Sequence, residues 1–344
     1  MPTVSRASIL NIQDYMKFMN TRTSSYLLAV ALAIMAVGPA AAAAGYPSRP
    51  IQIIVHVDPG SAADIFAREL GKVLAPVAGQ PVIVVNRVGG NGAMQMAVLK
   101  ASTPDGYTIG VNTTSHLALF NTSAKGLYRR EDFAWIARLQ LDPFAIYVSA
   151  GSPIRTLRDF VDVAHARARG PGPKMSVGGS LGIGGAHNIA FNIFAKAASV
   201  ELNWVAVPGT AATMVMGGHV DAGHGNLAPI DQLVKAGKLR VLGISTEKRL
   251  GSFPDVPTYR EAGYAYDTRW IQVRGLYAHK DVPAPVQERL VKMIREATRS
   301  DAWQKYMRDS NQLDGFQGTQ EYTQFVAAQE SITADWLKRL GVVK

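Results

Sequence analysis

From Ile51 onward, apolar runs of strand length and amphipathic runs of helix length take turns along the chain, and that alternation limits the fold more than any other feature. The first unit is IQIIVHVDPGSAADIFAREL, Ile51 to Leu70. Ile51 to Val57 reads as a buried strand interrupted only by Gln52 and His56, and Ala62 to Leu74 puts Ile65, Ala67, Leu70, Val73 and Leu74 roughly on one helical face. Pro81 to Val85 reads as a second strand, Ala93 to Ala101 as a helix, and Tyr107 to Asn112 as a third strand entered through the turn Pro104-Asp105-Gly106. Strands separated by single helices predict right-handed βαβ crossovers and a mostly parallel sheet covered on both faces.

The pattern then starts again. Phe144 to Val148 reads as a strand, Leu157 to Ala168 as a helix, and Met175 to Gly178 as a strand ending in a glycine-rich turn before a helix from about Gly185 to Ala198. Strands are expected at Leu202 to Val207, Val220 to Ala222 and Leu239 to Ser245, with Ala228 to Ala236 helical between the last two. Trp270 to Ala278 reads as a strand, followed by helices at Pro285 to Arg299, Asp301 to Asp309 and Thr319 to Leu340. Two α/β units, each with a loop from strand end to helix start, predict an α/β fold of two lobes. Ligands of open α/β sheets sit beyond the C-terminal ends of the strands, so the expected site is a cleft between the lobes.

The segment before the first strand reads differently. Ser24 to Ala44, SSYLLAVALAIMAVGPAAAAA, is an apolar run preceded by Lys17 and Arg22, broken by Gly38-Pro39 and ending in an alanine tract that offers cleavage sites. This is the pattern of a secretory signal peptide over residues 1–44, with Met16 or Met19 as alternative starts. A retained membrane anchor fits less well, because the Gly-Pro break comes before about 20 apolar residues accumulate. The chain has no cysteine, so disulfides and thiol chemistry are excluded and stability must come from the cores. Its formal charge is +10, or about +8 without residues 1–44. The basic residues are scattered and export argues against nucleic acid, so anionic small molecules or a membrane surface fit the balance better.

Two loops are candidates for chemistry. Asp58-Pro-Gly-Ser-Ala-Ala-Asp64 joins the first strand to its helix, with Ser61 and Asp64 at capping-box spacing. A cap alone would account for it, but Gly60 and the small side chains of Ser61, Ala62 and Ala63 also leave N–H groups uncovered at a helix start, where anions bind. Gly178-Gly-Ser-Leu-Gly-Ile-Gly-Gly-Ala-His187 is the second strand-to-helix loop, with Ser180 as its hydroxyl donor. Its spacing is neither G-x-G-x-x-G nor a P-loop, so no nucleotide cofactor is expected. His219, Asp221 and His224 lack a further nearby carboxylate for a metal site. Ser180 with His187 invites a hydrolase reading, without a G-x-S-x-G elbow or an obvious orienting acid. Trp270 is either a cleft wall or buried packing.

An ordered set of short matches covers nearly all of the remaining chain: YPSRPI at Tyr46, Pro59-Gly60, Asn86-Arg87, PDGYT at Pro104, GGHV at Gly217, Asn226-Leu227, KAGKLR at Lys235, PDVPT at Pro254, Glu261-Ala-Gly263 and Trp270. In these the chain resembles the substrate-binding proteins of tripartite tricarboxylate transporters, the Bordetella uptake gene or TctC-type family. The resemblance implies a two-lobed type 2 periplasmic-binding-protein fold that closes on a small carboxylate and delivers it to membrane subunits. It implies no enzyme activity and no cofactor, and a monomer is expected. It also implies lobe boundaries at 45–147, 148–266 and 267–344, with crossings near Phe144 to Val148 and Arg269 to Tyr277. The family's first loop pattern falls on Pro59, Gly60, Ser61 and Asp64, and its second on Ser180 to Asn188. Pro59 to Asp64, Ser180, Gly182, Gly184, Gly185, His187, Asn226 and Trp270 are thus the expected ligand-binding residues. The sequence departs from the family at Ser61 (for glycine), Gly185 (for Ser or Thr) and Gly225 (for Asp), and Val207 to Gly217 is shorter. A periplasmic hydrolase and a ligand-binding sensory adaptor are the rival readings.

Overall fold

The computed structural model describes residues 45–344, apart from Leu181 and the side chain of Asn91. The chain divides into units of residues 1–46 and 47–344. The expected leader lies outside the described residues, and the fold is that of the second unit.

Strand β1 (Ile51–Val55) leads into α1 (Ala62–Ala78), followed by β2 (Val82–Asn86), α2 (Ala93–Ala101) and β3 (Thr108–Thr113). Helix α1 buries Phe66, Ala67, Leu70 and Leu74 and stops at Gly79, whose left-handed φ of 64° ends the helix. Ile65, which the periodicity put on the inner face, is 45% exposed because Phe66 takes the inward position. A short α3 (Ser115–Asn121) and a long β4 (Phe133–Asp142) come next. Strand β5 (Phe144–Ser149) then opens a second set: α4 (Leu157–Arg169), β6 (Ser176–Ser180), α5 (Ala186–Ala197), β7 (Asn203–Val207), α6 (Ala212–Met216), β8 (Ala222–Asn226), α7 (Asp231–Lys235) and β9 (Leu239–Ile244). The chain ends with β10 (Gln272–His279), α8 (Ala284–Ala297), α9 (Asp301–Asp309), β11 (Leu313–Gln317) and α10 (Thr319–Arg339).

These strands form two sheets, ordered β11-β4-β10-β3-β1-β2 and β7-β6-β8-β5-β9. Strand β1 is parallel to β2 and β3, and β6 is parallel to β7 and β8, as βαβ units require. The expectation of mostly parallel sheets is corrected at the strands that arrive from elsewhere. Strand β10 runs antiparallel to β3 and β4, β11 to β4, and β5 to β8 and β9. The reason is connectivity: no helical crossover precedes β5 or β10 to turn it into line with its neighbours.

Alternation along β5 shows how the second sheet is covered. Phe144, Ile146 and Val148 face one core with Phe160 and Phe194, while Ala145 and Tyr147 face another with Ile230 and Val241. In the first sheet Trp135 stacks on Tyr277 at 5.3 Å and meets Tyr322 of α10 edge-on at 6.0 Å. Helix α10 serves both halves: Tyr322 and Val326 lie in the first-sheet core, and Ile332, Trp336 and Leu340 pack against the second.

Pro143 alone separates β4 of the first sheet from β5 of the second. Beside it, Arg274 of β10 and Asp142 form an ion pair of 3.0 Å, both almost fully buried. The Asp142 carboxylate also accepts from Gln312 Nε2 at 3.2 Å, and its carbonyl accepts from Asn226 Nδ2 of β8 at 3.2 Å. One residue thus ties together a strand end of each sheet. Removing one member strands a buried charge, so Arg274→Leu and Asp142→Leu are each expected to lose about 3–5 kcal/mol of unfolding free energy. The double variant should recover most of that loss in urea denaturation, and strictly additive losses would refute the pairing.

Candidate functional site

Two loops leave their sheets beside the crossing points and open their helices in the same way. In the first, Gly60 has φ 83° and the N-cap Ser61 has φ −70° and ψ 159°. In the second, Gly184 has φ 84° and the N-cap Gly185 has φ −70° and ψ 162°. Each begins with a turn: Ser61 N donates to Asp58 O at 3.2 Å, and Gly185 N to Gly182 O at 3.0 Å. Glycine is needed at 60 and 184 because the third turn position has positive φ. Each turn is then held by the third helical side chain, which accepts from the glycine N–H. Gly60 N donates to Asp64 Oδ2 at 2.9 Å, and Gly184 N to Asn188 Oδ1 at 3.0 Å.

What remains is a set of free donors. Neither N-cap side chain caps its helix, and the first-turn N–H groups of Ala62, Ala63 and Asp64, and of Ala186, His187 and Asn188, have no acceptor among the described residues. Each helix start carries about half a positive charge. The hydroxyls of Ser61 and Ser180 likewise have no partner among the described residues.

The expected capping box at Ser61 and Asp64 does not form: Ser61 caps nothing, and Asp64 accepts from Gly60 N, one residue before the N-cap. Asp64 is 1% exposed and fully engaged. It accepts from Arg68 Nε and a terminal Arg68 nitrogen, both at 2.9 Å, and from Asn86 Nδ2 at 2.9 Å. The Arg68 guanidinium, helped by the Gly60 N–H and Asn86, holds the carboxyl down at about 2. Asp64 shapes the loop from behind, with its charge neutralised by Arg68.

Of the other expected residues, Pro59, Gly60, Ala62 and Gly182 are exposed, Ser61, Ser180, Gly185 and His187 are half-buried, and Ala63 and Gly184 are buried. The His187 ring lies edge-on to Phe144 at 5.3 Å. Asn226 donates to Pro143 O at 3.3 Å, at the first crossing. On the first sheet, Thr114 at the end of β3 donates to Ile271 O at 3.0 Å and accepts from Val273 N at 3.1 Å, at the second crossing. Trp270 resolves to packing: it is 1% exposed and donates from Nε1 to Ala186 O at 3.3 Å, bracing the second loop.

The competing chemistries find little support. Asp221 is taken by Arg167 and Ser176, His224 is enclosed by Phe144, Phe191 and Trp204, and no cluster suited to a metal occurs among the described residues. Ser180 and His187 form no hydrogen bond with each other among the described residues, and no carboxylate accepts from the His187 ring. Sequence reasoning passed over Arg68 and named Asn188 only as the end of the second loop. Asn188 was legible by comparing GSAAD at 60–64 with GGAHN at 184–188, each a glycine, a small residue, an alanine and, two places on, an Asp or Asn.

Two mixed α/β sheets joined at two crossings, with paired strand-to-helix loops beside them, define the fold class of two-lobed periplasmic binding proteins. The model of the tripartite tricarboxylate transporter family receptor matches residues 66–342. A UPF0065 protein of Bordetella bronchiseptica is 33% identical over 280 residues, covering 80% of this chain and 81% of that protein. The chain belongs to the TctC family of transporter receptors, and its role is substrate binding in the periplasm. A TctC solute-binding protein from Polaromonas, solved without ligand, superposes with a TM-score of 0.72 at 25% identity over 86% of this chain and 99% of that one. MatC from Rhodopseudomonas palustris, solved with bound malate, superposes with a TM-score of 0.69 at 22% identity over 85% of this chain and all of that one.

Two histidines flank the site with depressed basicity. Burial, with Arg274 adding to it, brings His56 down to about 4, and burial brings His187 down to about 4. An unfolded histidine titrates near 6.5, so the unfolded chain takes up protons first. Their contribution to stability is complete above pH 6.5, falls as the pH drops toward 4, and levels below that. Melting temperature should decline through this window, with a shallower slope in His187→Gln. A flat or rising profile between pH 6.5 and 4.5 would refute the assignment.

Proposed function

We propose that this protein is a periplasmic receptor for a small carboxylate, exported through a cleaved leader at residues 1–44, acting as a monomer and passing its ligand to the membrane subunits of a tripartite transporter. The observation that carries the reading is the pair of matched helix starts, each with first-turn N–H groups unused. A carboxylate suits these donors because it accepts several hydrogen bonds at once, and charge-assisted bonds are the strong ones. Bound malate in the related MatC fold supports the choice of anion, as does bound adipate in a second solved protein of the same organism.

The mechanism is hinge closure. The lobes proposed at 45–147 plus 267–344 and at 148–266 have boundaries within about five residues of Pro143 and Ile271, which precede β5 and β10 where the chain enters the other sheet, and we place the hinges there. A ligand held by both loops gains its full set of bonds only when the lobes are together, and that differential affinity shifts the population to the closed form. Ser61 and Ser180 supply hydroxyl donors, with waters bridging the rest. The neutral Asp64–Arg68 pair leaves the helix start free to attract the anion.

The test is a thermal-shift and calorimetric screen of acetate, succinate, malate, adipate and citrate. At least one should stabilise the protein and be recovered unchanged. Ala62→Pro then removes one first-turn N–H at the helix position where proline is best tolerated, after an extended residue that accepts a following proline. Affinity should fall about tenfold or more, as expected for losing a hydrogen bond to a charged group, while melting without ligand stays within a few degrees. Binding that survives this change intact would show that the main chain of this loop is not the anchor.

A further inference from the structure

The second loop is seated on the C-terminal end of α10. A side-chain carbon added at Gly184 would lie 2.8 Å from Leu337 Cδ2 and 3.1 Å from Val342 Cγ2, so these two side chains press directly on the glycine backbone. Leu337 is fully buried, whereas Val342 is 39% exposed. Val342 reaches this place because the helix ends in a reversal. Gly341 has φ 68°, Gly341 N donates to Lys338 O at 3.0 Å, and Val342 N donates to Leu337 O at 2.9 Å. These are the two bonds of a Schellman motif, and Leu337 and Val342 occupy the positions whose apolar contact accompanies it. The staple that finishes the last helix is therefore also the platform under Gly184.

No comparable support exists under the first loop, where a side-chain carbon at Gly60 would meet nothing within 4 Å. The Gly60 turn is held instead by the Asp64, Arg68 and Asn86 network. The second loop has a neutral amide, Asn188, in place of that charged network. Its other brace is the Trp270 bond to Ala186 O. Helix α10 comes to it from the core of the first sheet, where Tyr322 and Val326 are anchored, and Gln329 donates to Arg269 O on the way, beside the second crossing.

We infer that Leu337 and Val342 are positioning residues for ligand binding: the C-terminal staple fixes Gly184, and through it the direction of the free N–H groups at the start of α5. The donors of the second loop thus rest on the end of a helix whose other end is anchored in the first-sheet core. This rests on the carboxylate-receptor reading and adds a determinant of affinity that touches no ligand.

The experiment compares Val342→Ser and Gly341→Ala with Gly79→Ala, using the panel carboxylate that binds the unmodified protein best, by calorimetry at a temperature well below melting. Gly79 is the matching left-handed glycine at the end of α1, with open space around it. It carries the same backbone strain at the far end of its helix from the first loop. Val342→Ser should weaken binding about fivefold or more with little change in melting, because the residue is already part-exposed. Gly341→Ala should lower both melting and affinity, whereas Gly79→Ala lowers melting alone. Unchanged affinity in Val342→Ser and Gly341→Ala would overturn the inference while leaving the receptor reading standing. Failure of every panel member to bind the unmodified protein would overturn both.

Discussion

The structure depends on how two helices dispose of the backbone donors that every helix start leaves over. In α1 and α5 the preceding glycine turns back on a third-position side chain, the N-cap N–H closes a turn, and the first-turn donors are left without partners. Two other helices satisfy such groups with a capping side chain: Thr156 accepts from Asp159 N at the start of α4, and Ser300 from Trp303 N at the start of α9. What sets α1 and α5 apart is an uncapped start behind a positive-φ glycine whose N–H is held by the third helical side chain. Leaving donors unpaired is tolerable at a water-filled surface and becomes favourable once an anion replaces the water.

The crossings decide where those loops point. With only Pro143 between β4 and β5, the strand that ends the first part of one sheet starts the next in the other, and the adjacent strand ends are drawn to the same place. Asp142 fastens that junction by pairing with Arg274 of the returning strand and by giving its carbonyl to Asn226. Phe144, the first residue after Pro143, packs edge-on against His187 of the second loop. A buried ion pair contributes little net stability compared with apolar packing, so its value here lies in fixing the register of strands that have no helix to align them. Helix α10 adds a third connection by contributing to both cores, which restricts how the halves can turn about the two strand crossings.

Much of this was legible in the sequence because periodicity reports which face is buried. The ends of α2 and α9 fall where the pattern put them, and α1, α4 and α5 begin within a residue of expectation. Strand β4 was missed although FAWIARLQLD carries the apolar content of a strand, because Ile136 and Ala137 break the alternation; both faces are covered there. Strand β11, LDGFQ, has too few apolar residues to register, and it exists because β4 offers it an edge. Helix α3 is one short turn pair that buries Leu117, Leu119 and Phe120 and is fastened by His116, whose ring accepts from Thr113 N and meets Gln95, tertiary contacts no local pattern carries. At the site, the glycines and the free helix starts were readable. Arg68 and the seat under Gly184 were not, since each depends on which side chain a folded turn brings within reach.

A site built from main chain asks little of side-chain identity, and this bears on how such proteins diverge. What the two loops require is a residue able to hold positive φ at 60 and 184, an acceptor side chain at 64 and 188, and nothing bulky over the first turn. Those conditions are met with Asp in one loop and Asn in the other, and with serine at one N-cap and glycine at the other. A pair of loops that asks only this leaves the rest of its residues free to change. In the carboxylate reading proposed above, discrimination falls to groups outside these main-chain donors: the hydroxyls at 61 and 180, the apolar Ile183 exposed in the second loop, and the angle at which each helix start is held. The first angle is set locally by a charged network and the second from a distance by a helix terminus, so the two halves of one anchor are open to independent adjustment.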